Sequence, residues 1–265
     1  MNSLQRIDRK LQINKSSLQN TGRNDMSNVD ELIAWLLKCE YIQADGGMGT
    51  CLDIPKYEVM PKEFLRFAES DLLDKTKKGK VGVLANLKRA IDCQLDIFFE
   101  ILNLQNIFCG KNLKFEQKTN FIADIGMVQN KSINKLNTMR NKMEHKYVLP
   151  EGADLEIYFD LVWNVIEILS LNIQILSMNE VTMSLYTEEQ EFCFSAKYDF
   201  EKRAVIFEKD SKDKQKIEFL EVHLRRKEDY DEFVRAFRVY RCLLSTQSCL
   251  GVGYWGSALE ELINK

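Results

Sequence analysis

The chain has 265 residues, 45% of them hydrophobic and 29% charged, and a formal net charge of −3. Those values fit a globular protein of one large domain or two small ones. Three prolines and twelve glycines are too few for a loop-rich or all-β chain and favour long helices. Seven cysteines without a C-x-x-C pair exclude a disulfide framework and a zinc-finger site, and point to free thiols in a reducing compartment. The first 25 residues lack the apolar core of a signal peptide. The uncharged run of the most apolar segment, Ile168 to Asn179, is shorter than the about 18 residues that a membrane span needs. The expected setting is the cytoplasm, without a membrane partner.

Residues 1–26 mix polar and charged types without periodicity and read as a disordered or weakly helical arm. Ser27 to Glu31 has the form of a helix start, with Leu32, Trp35 and Leu36 following at helical spacing. Gly46, Gly47 and Gly49 then end that element in a loop, which Pro55 and Pro61 prolong. From Pro61 to Ser177 the pattern is helical throughout. Lys62–Thr76 carries Phe64, Phe67, Ala68 and Leu72 on one side. A long helix over Lys80–Leu104 repeats Leu84, Leu87, Ile91, Leu95, Phe98 and Leu102 every three or four residues. Asp92, Asp96 and Glu100 line another of its faces, and Lys88 is spaced to pair with Asp92. Phe115–Met127 is a shorter helix. Ser132–Tyr147 is the next, stopped by Pro150 and Gly152.

Asp154–Ser177 is the most apolar helix. Leu155, Phe159, Val162, Ile166, Leu169, Ile173 and Leu176 form one stripe, and Ile157, Leu161, Val165, Ile168 and Ile175 a second. A helix apolar on two sides is either central to its own core or shared with a partner. After Asn179 the period changes. Glu191–Tyr198, Ala204–Phe207 and Ile217–Leu224 read as strands, the last two separated by the turn-rich Asp210-Ser211-Lys212-Asp213. A final helix over Asp229–Ser245 presents Phe233, Phe237, Tyr240 and Leu244. The expected architecture is mainly α, with an N-terminal arm and helix (1–60), a helical bundle (61–178) and a small α+β C-terminal module (179–265).

Chemistry concentrates between Arg140 and Tyr147. This stretch holds His145, one of only two histidines in the chain, and an imidazole is the ordinary proton carrier near neutral pH. Arg140 offers a planar fork of donors suited to phosphate oxygens. His145 can take a proton from a ribose 2′-hydroxyl or give one to a leaving 5′-oxygen, and Asn141 can orient either group. Arg140 and His145 lie about 140° apart around a helix, so they flank one phosphate only over the last turn or between two copies of the helix. Lys135, Lys142 and Lys146, with Lys88 and Arg89 on the long helix, are candidate phosphate contacts. No acidic cluster adjoins the motif to cage magnesium, and His145 has no partner at zinc-ligand spacing. Gly251, Gly253 and Gly256 lack the lysine and hydroxyl of a phosphate loop, so no cofactor is implied; they read as a tail that docks Tyr254 and Trp255. The plainer alternative makes Arg140 and Glu144 an i,i+4 surface pair and His145 a cation favourable to the helix end.

Arg140-Asn141-x-x-x-His145 resembles the Arg-x(4–6)-His signature of HEPN domains, with the polar residue usual after the arginine. Its extension to Tyr147 is similar to the Arg-x4-His-x-Tyr form of HEPN toxins paired with minimal nucleotidyltransferase antitoxins. The resemblance spans roughly residues 62–177 and implies a HEPN-like helical bundle that dimerises so that two motifs share one cleft. It further implies a metal-independent endoribonuclease of a toxin–antitoxin or anti-phage system. Arg140 would then stabilise the phosphorane, Asn141 would position groups and His145 would act as acid or base. Tyr147 would be open to adenylylation by such an antitoxin, and Asp92 would support the cleft. Some HEPN domains keep the fold without catalysis, which leaves a module binding a partner protein or nucleotide as the alternative.

Overall fold

The computed structural model describes residues 26–39, 41–46, 49–107, 113–149, 151–186, 191–210, 216–249 and 259. The expected N-terminal arm (residues 1–25), the turn-rich residues 211–215 and the glycine-rich stretch with Tyr254 and Trp255 fall outside the described residues, as does Cys109. Among the described residues the order is α1 (Val29–Leu36), β1 (Tyr41–Gly46), α2 (Pro61–Leu73), α3 (Lys77–Ile101), α4 (Phe115–Asp124), α5 (Asn130–Lys146) and α6 (Gly152–Leu176). It continues with β2 (Glu180–Tyr186), β3 (Glu191–Asp199), β4 (Ala204–Asp210), β5 (Lys216–His223) and α7 (Tyr230–Cys249). The chain is mainly helical, with an antiparallel sheet formed largely by its C-terminal part.

The helical half is built on α3 and α6. All six apolar residues of the predicted α3 stripe are fully buried. The helix begins earlier than its hydrophobic pattern because Thr76 caps it, its side chain accepting from the Gly79 N–H at 3.2 Å. Gly79 also permits the tight α2–α3 hairpin: a Cβ there would run into the Asp74 carbonyl. Pro61 does not prolong the loop; it is the first residue of α2, where its missing N–H costs nothing and its fixed φ suits the helix. The first stripe of α6 is buried apart from half-buried Phe159, whereas the second is only partly covered.

The sheet is a meander in the order β1-β2-β3-β4-β5, every pair antiparallel. Two strands correct the sequence reading. Tyr41–Gly46, expected to pass from helix to loop, pairs with β2 from Tyr41↔Tyr186 to Gly46↔Thr182. Its glycines gave it a turn-like composition, and cross-strand pairing overrides that local preference. Residues 180–186, not assigned to a strand from the sequence, form β2 with Val181, Met183 and Leu185 buried on one face. The N-terminal stretch therefore joins the C-terminal module in one layer: α1 packs on α7, and Trp35 meets Phe192, Phe194 and Phe219 of the sheet.

Helix α7 holds the layers together. Phe233, Phe237, Tyr240 and Leu244 are buried, and Phe121 of α4 packs against Phe233 and Phe237. Tyr198 of β3 packs against the same two phenylalanines and donates its hydroxyl to the Leu102 carbonyl at 2.9 Å. Arg238 donates to the Asp124 carbonyl and Arg241 to that of Ile125 at 2.5 Å, so two guanidinium groups satisfy carbonyls at the end of α4. Burial lowers the Arg241 pKa to about 10.

Cys39, Cys93 and Cys242 are free thiols whose pKa values burial raises to about 11, while Cys51 is exposed. At pH 8, iodoacetamide should therefore modify Cys51 first and leave those three until the chain unfolds, because the thiolate is the reactive form. Peptide mapping that finds Cys39 or Cys242 labelled in the native protein as fast as Cys51 would contradict this packing. Replacing Tyr198 with Phe leaves the Leu102 carbonyl buried without that donor and should cost about 1–3 kcal/mol in denaturant unfolding. A neutral outcome would mean that the bond does not tie the layers.

Candidate functional site

Helix α5 is polar for its length, and Ile133 is its one fully buried residue among those described. It ends at Tyr147, whose φ of 56° and ψ of 28° place it in the left-handed region, with its N–H donating to the Met143 carbonyl at 3.1 Å. That reversal is the usual helix terminator, normally made by glycine. His145 and Lys146 fall in the last turn, where positive charge suits the exposed carbonyls.

Lys131, Asn134, Lys135, Thr138, Met139 and Lys142 of α5 line an open cleft of about 430 Å³, completed by Val148, Leu149 and Tyr158. Positions 131, 135, 138 and 142 repeat in fours and threes and so share one helix face. His145 follows at three residues beyond Lys142 and seven beyond Thr138, which continues the same stripe, and it is exposed. His145 is thus on the helix face that carries the cleft lysines, but it is not among the residues that line the cleft. Asn141 is half-buried one step around the helix, and Lys146 is exposed.

The position of Arg140 lies elsewhere on α5. It stands seven residues from Ile133, on the side that Ile133 buries, and about 140° from His145. One copy of the helix therefore does not direct both positions into the cleft.

The α3 candidates have partners of their own. The Lys88 side chain is only 12% exposed, pairs with Asp92 as its spacing predicts, and lies 3.8 Å from the centre of the Phe115 ring. Arg89 donates to the Asn86 side chain at 3.3 Å. Asp96 pairs with Lys118, and Glu100 accepts from the Tyr57 hydroxyl at 2.9 Å. Asp96, Glu100, Tyr57 and Lys118 border a second cleft of about 270 Å³, distinct from the lysine-lined one. Asp92 is not among the described residues lining either cleft. Tyr57 is a feature that sequence reasoning missed: it sits in an unpatterned loop, and only the fold brings it to Glu100. Its pKa is raised by burial and by the adjacent carboxylates. Among the described residues no group of three or more His, Cys, Asp or Glu side chains gathers as a metal cage.

Tyr147 is 88% exposed and pays for its left-handed backbone without burying its ring. Tyr147→Gly should therefore be neutral or stabilising by up to about 1 kcal/mol in thermal or denaturant unfolding. A loss of stability larger than that would show a packing role for the ring. Compared with known proteins, the chain matches no protein-family model, no curated protein and no solved structure.

Proposed function

We propose that this protein is a cytoplasmic, metal-independent endoribonuclease of the HEPN kind, acting in a prokaryotic toxin–antitoxin or anti-phage system. The observation that carries this reading is the lysine-lined cleft of α5, with exposed His145 one turn further along the same helix face. Lys131, Lys135 and Lys142 would track RNA phosphates and Lys146 would add a contact near the helix end, each working as a solvated point charge. Lys88, held by Asp92 and Phe115, contributes less.

The reaction needs few parts. His145 as base removes the ribose 2′-hydroxyl proton, and the resulting oxygen attacks the adjacent phosphorus. Arg140 steadies the charge on the phosphorane oxygens, with Asn141 orienting the imidazole or the phosphate. The 5′-oxygen then leaves as its bond to phosphorus breaks and takes up the proton that the His145 imidazolium carries, giving a 2′,3′-cyclic phosphate, a 5′-hydroxyl and a neutral imidazole. Tyr147, two residues after His145, is exposed, which would leave its hydroxyl open to adenylylation by an antitoxin of the nucleotidyltransferase type.

The separation of Arg140 from His145 around α5 favours one competing reading, a non-catalytic HEPN-like module that holds a partner protein or nucleotide in the cleft. Purified protein incubated with varied RNAs in EDTA separates the two. The enzyme reading expects cyclic-phosphate ends and a loss of about 10²–10⁴-fold in His145→Ala. His145 is exposed, so that variant should keep its fold. Absence of cleavage in folded wild type, or equal cleavage by His145→Ala, would sink the enzyme reading. In cells, wild type should slow growth while Arg140→Ala/His145→Ala does not.

A further inference from the structure

Helix α6 presents an uncovered apolar face with a definite period. Ile157, Leu161, Asn164, Ile168, Leu171 and Ile175 follow one another at steps of four and three, the spacing by which one helix receives another. Ile157 is 65% and Leu171 56% exposed, Ile168 and Asn164 are exposed, and Leu161 and Ile175 are half-buried. The core-facing stripe lies on the other side of the helix and is already satisfied by the bundle. The helix also carries Asp154, Glu156, Asp160 and Glu167 and has no lysine or arginine. What covers this face must therefore be apolar along one stripe and cationic beside it.

The first residues of the chain have that composition. Leu4, Ile7, Leu11, Asn14 and Leu18 follow one another at steps of three and four. Arg6, Arg9, Lys10 and Lys15 stand among them against the single acid Asp8. So few apolar positions do not declare a helix by themselves. Beside α6, however, their spacing coincides with its face position by position: Ile7 with Ile157, Leu11 with Leu161, Asn14 with Asn164 and Leu18 with Ile168. The two amides can then satisfy each other, and the meeting flanks of a parallel pair set Lys15 beside Asp160. Asp154, which begins the period on α6, falls opposite Leu4, so no acid faces it. Ser3 can cap such a helix at its start and Gly22 can end it.

The chain's path favours the parallel direction. Met26 donates its N–H to the Phe219 carbonyl at 3.1 Å. Two residues on, Glu221 is aligned across the sheet with Ile206, Lys197 and Glu180. Three strand spacings, about 14 Å, therefore separate this part of β5 from the start of β2, which follows the C-terminal end of α6 directly. A parallel arm brings Leu18 to Ile168, toward that end, whereas an antiparallel one leaves it near Ile157, about 16 Å further along the helix. Residues 19–25 reach at most about 25 Å, and the parallel direction asks least of them.

We propose that residues 4–18 are the occupant of this face: a basic amphipathic helix of the same chain, laid parallel along α6 from Ile157 toward Leu171. A helix this short is marginal alone, so it forms as it docks. Its tether holds it near the face at an effective concentration in the millimolar range. By length and composition α6 is apolar enough to cross a membrane. Lipid is the poorer occupant, because Asn164 and the acids beside it would have to enter it. The inference stands apart from the ribonuclease reading, since no residue named there for phosphate contact or catalysis takes part.

Amide hydrogen exchange of the full chain, read by mass spectrometry, tests it. Residues 5–18 should exchange at least about 10-fold more slowly in wild type than in Ile157→Glu/Leu171→Glu. Both substituted positions are exposed, and unchanged exchange across β2–β4 checks that the variant keeps its fold. On a Cys51→Ser background, Ile7→Cys/Ile157→Cys should form a disulfide within one chain on oxidation, because a parallel arm brings the two Cα atoms within about 7 Å. Leu18→Cys/Ile157→Cys, which only an antiparallel arm brings together, should not. Residues 5–18 exchanging as an open chain in wild type, or protection that survives the double substitution, overturns the proposal. Crosslinking through Leu18→Cys alone overturns the parallel direction. A disulfide at Ile7→Cys/Ile157→Cys that joins two chains gives the face to the arm of a second copy and overturns docking within one chain. Flotation with phosphatidylcholine vesicles that the double substitution abolishes makes lipid the occupant and overturns it as well.

Discussion

The aromatic packing among Phe121, Tyr198, Phe233 and Phe237 is the constraint on which the rest of the molecule rests. It joins three elements far apart in sequence: the short helix α4, the middle strand β3 and the C-terminal helix α7. The polar bonds around it have little choice of geometry once these rings are seated. Tyr198 reaches the carbonyl at the end of α3, Tyr240 reaches the Asn179 carbonyl at 2.6 Å, and Arg238 and Arg241 close the end of α4. Helix α5 starts only a few residues after that end, past Gly126 at φ 75°. The direction in which the lysine cleft opens is therefore set by a helix that contributes nothing to it.

Where a segment's own side chains decide its structure, the sequence was readable. The α3 stripe from Leu84 to Leu102 and the four core residues of α7 are cases in which apolar spacing alone specifies helix and buried face. Reading failed where pairing with a distant segment decides. Residues 41–46 run into the loop-like Gly46-Gly47-Met48-Gly49 and become a strand only because β2 is present to pair with them. Residues 180–186 alternate properly but follow a long helix without a turn signal, since Asn179, at φ 44°, makes the reversal in a single residue. The C-terminal end of α5 was placed to within one residue, at Tyr147, but the left-handed turn that makes it carries no sequence signature in a tyrosine.

The site was legible as residue types and not as geometry. The spacing from Arg140 to Tyr147 identified groups able to handle a phosphodiester. The same spacing predicted that Arg140 and His145 would diverge around the helix, and the side of α5 occupied by Ile133 makes that divergence concrete. The lysines sorted themselves by neighbour. Lys88 was matched with Asp92 by an i,i+4 rule that needs no tertiary information, but its contact with Phe115 required the fold. Lys131 and Lys142 gained their shared cleft from Tyr158, a residue of the following helix.

Strand β1 has a consequence for how the chain is made. Its partner β2 lies about 140 positions later, so this sheet edge cannot close until most of the polypeptide has left the ribosome. The helices between Pro61 and Leu176 have largely local contacts and can assemble first, while residues 29–46 wait with Val29, Leu32, Ile33 and Leu36 uncovered. The N-terminal segment acts as a late clasp. Truncations from the C-terminus would release it, and the apolar surface of α1 would be exposed from the opposite end of the chain.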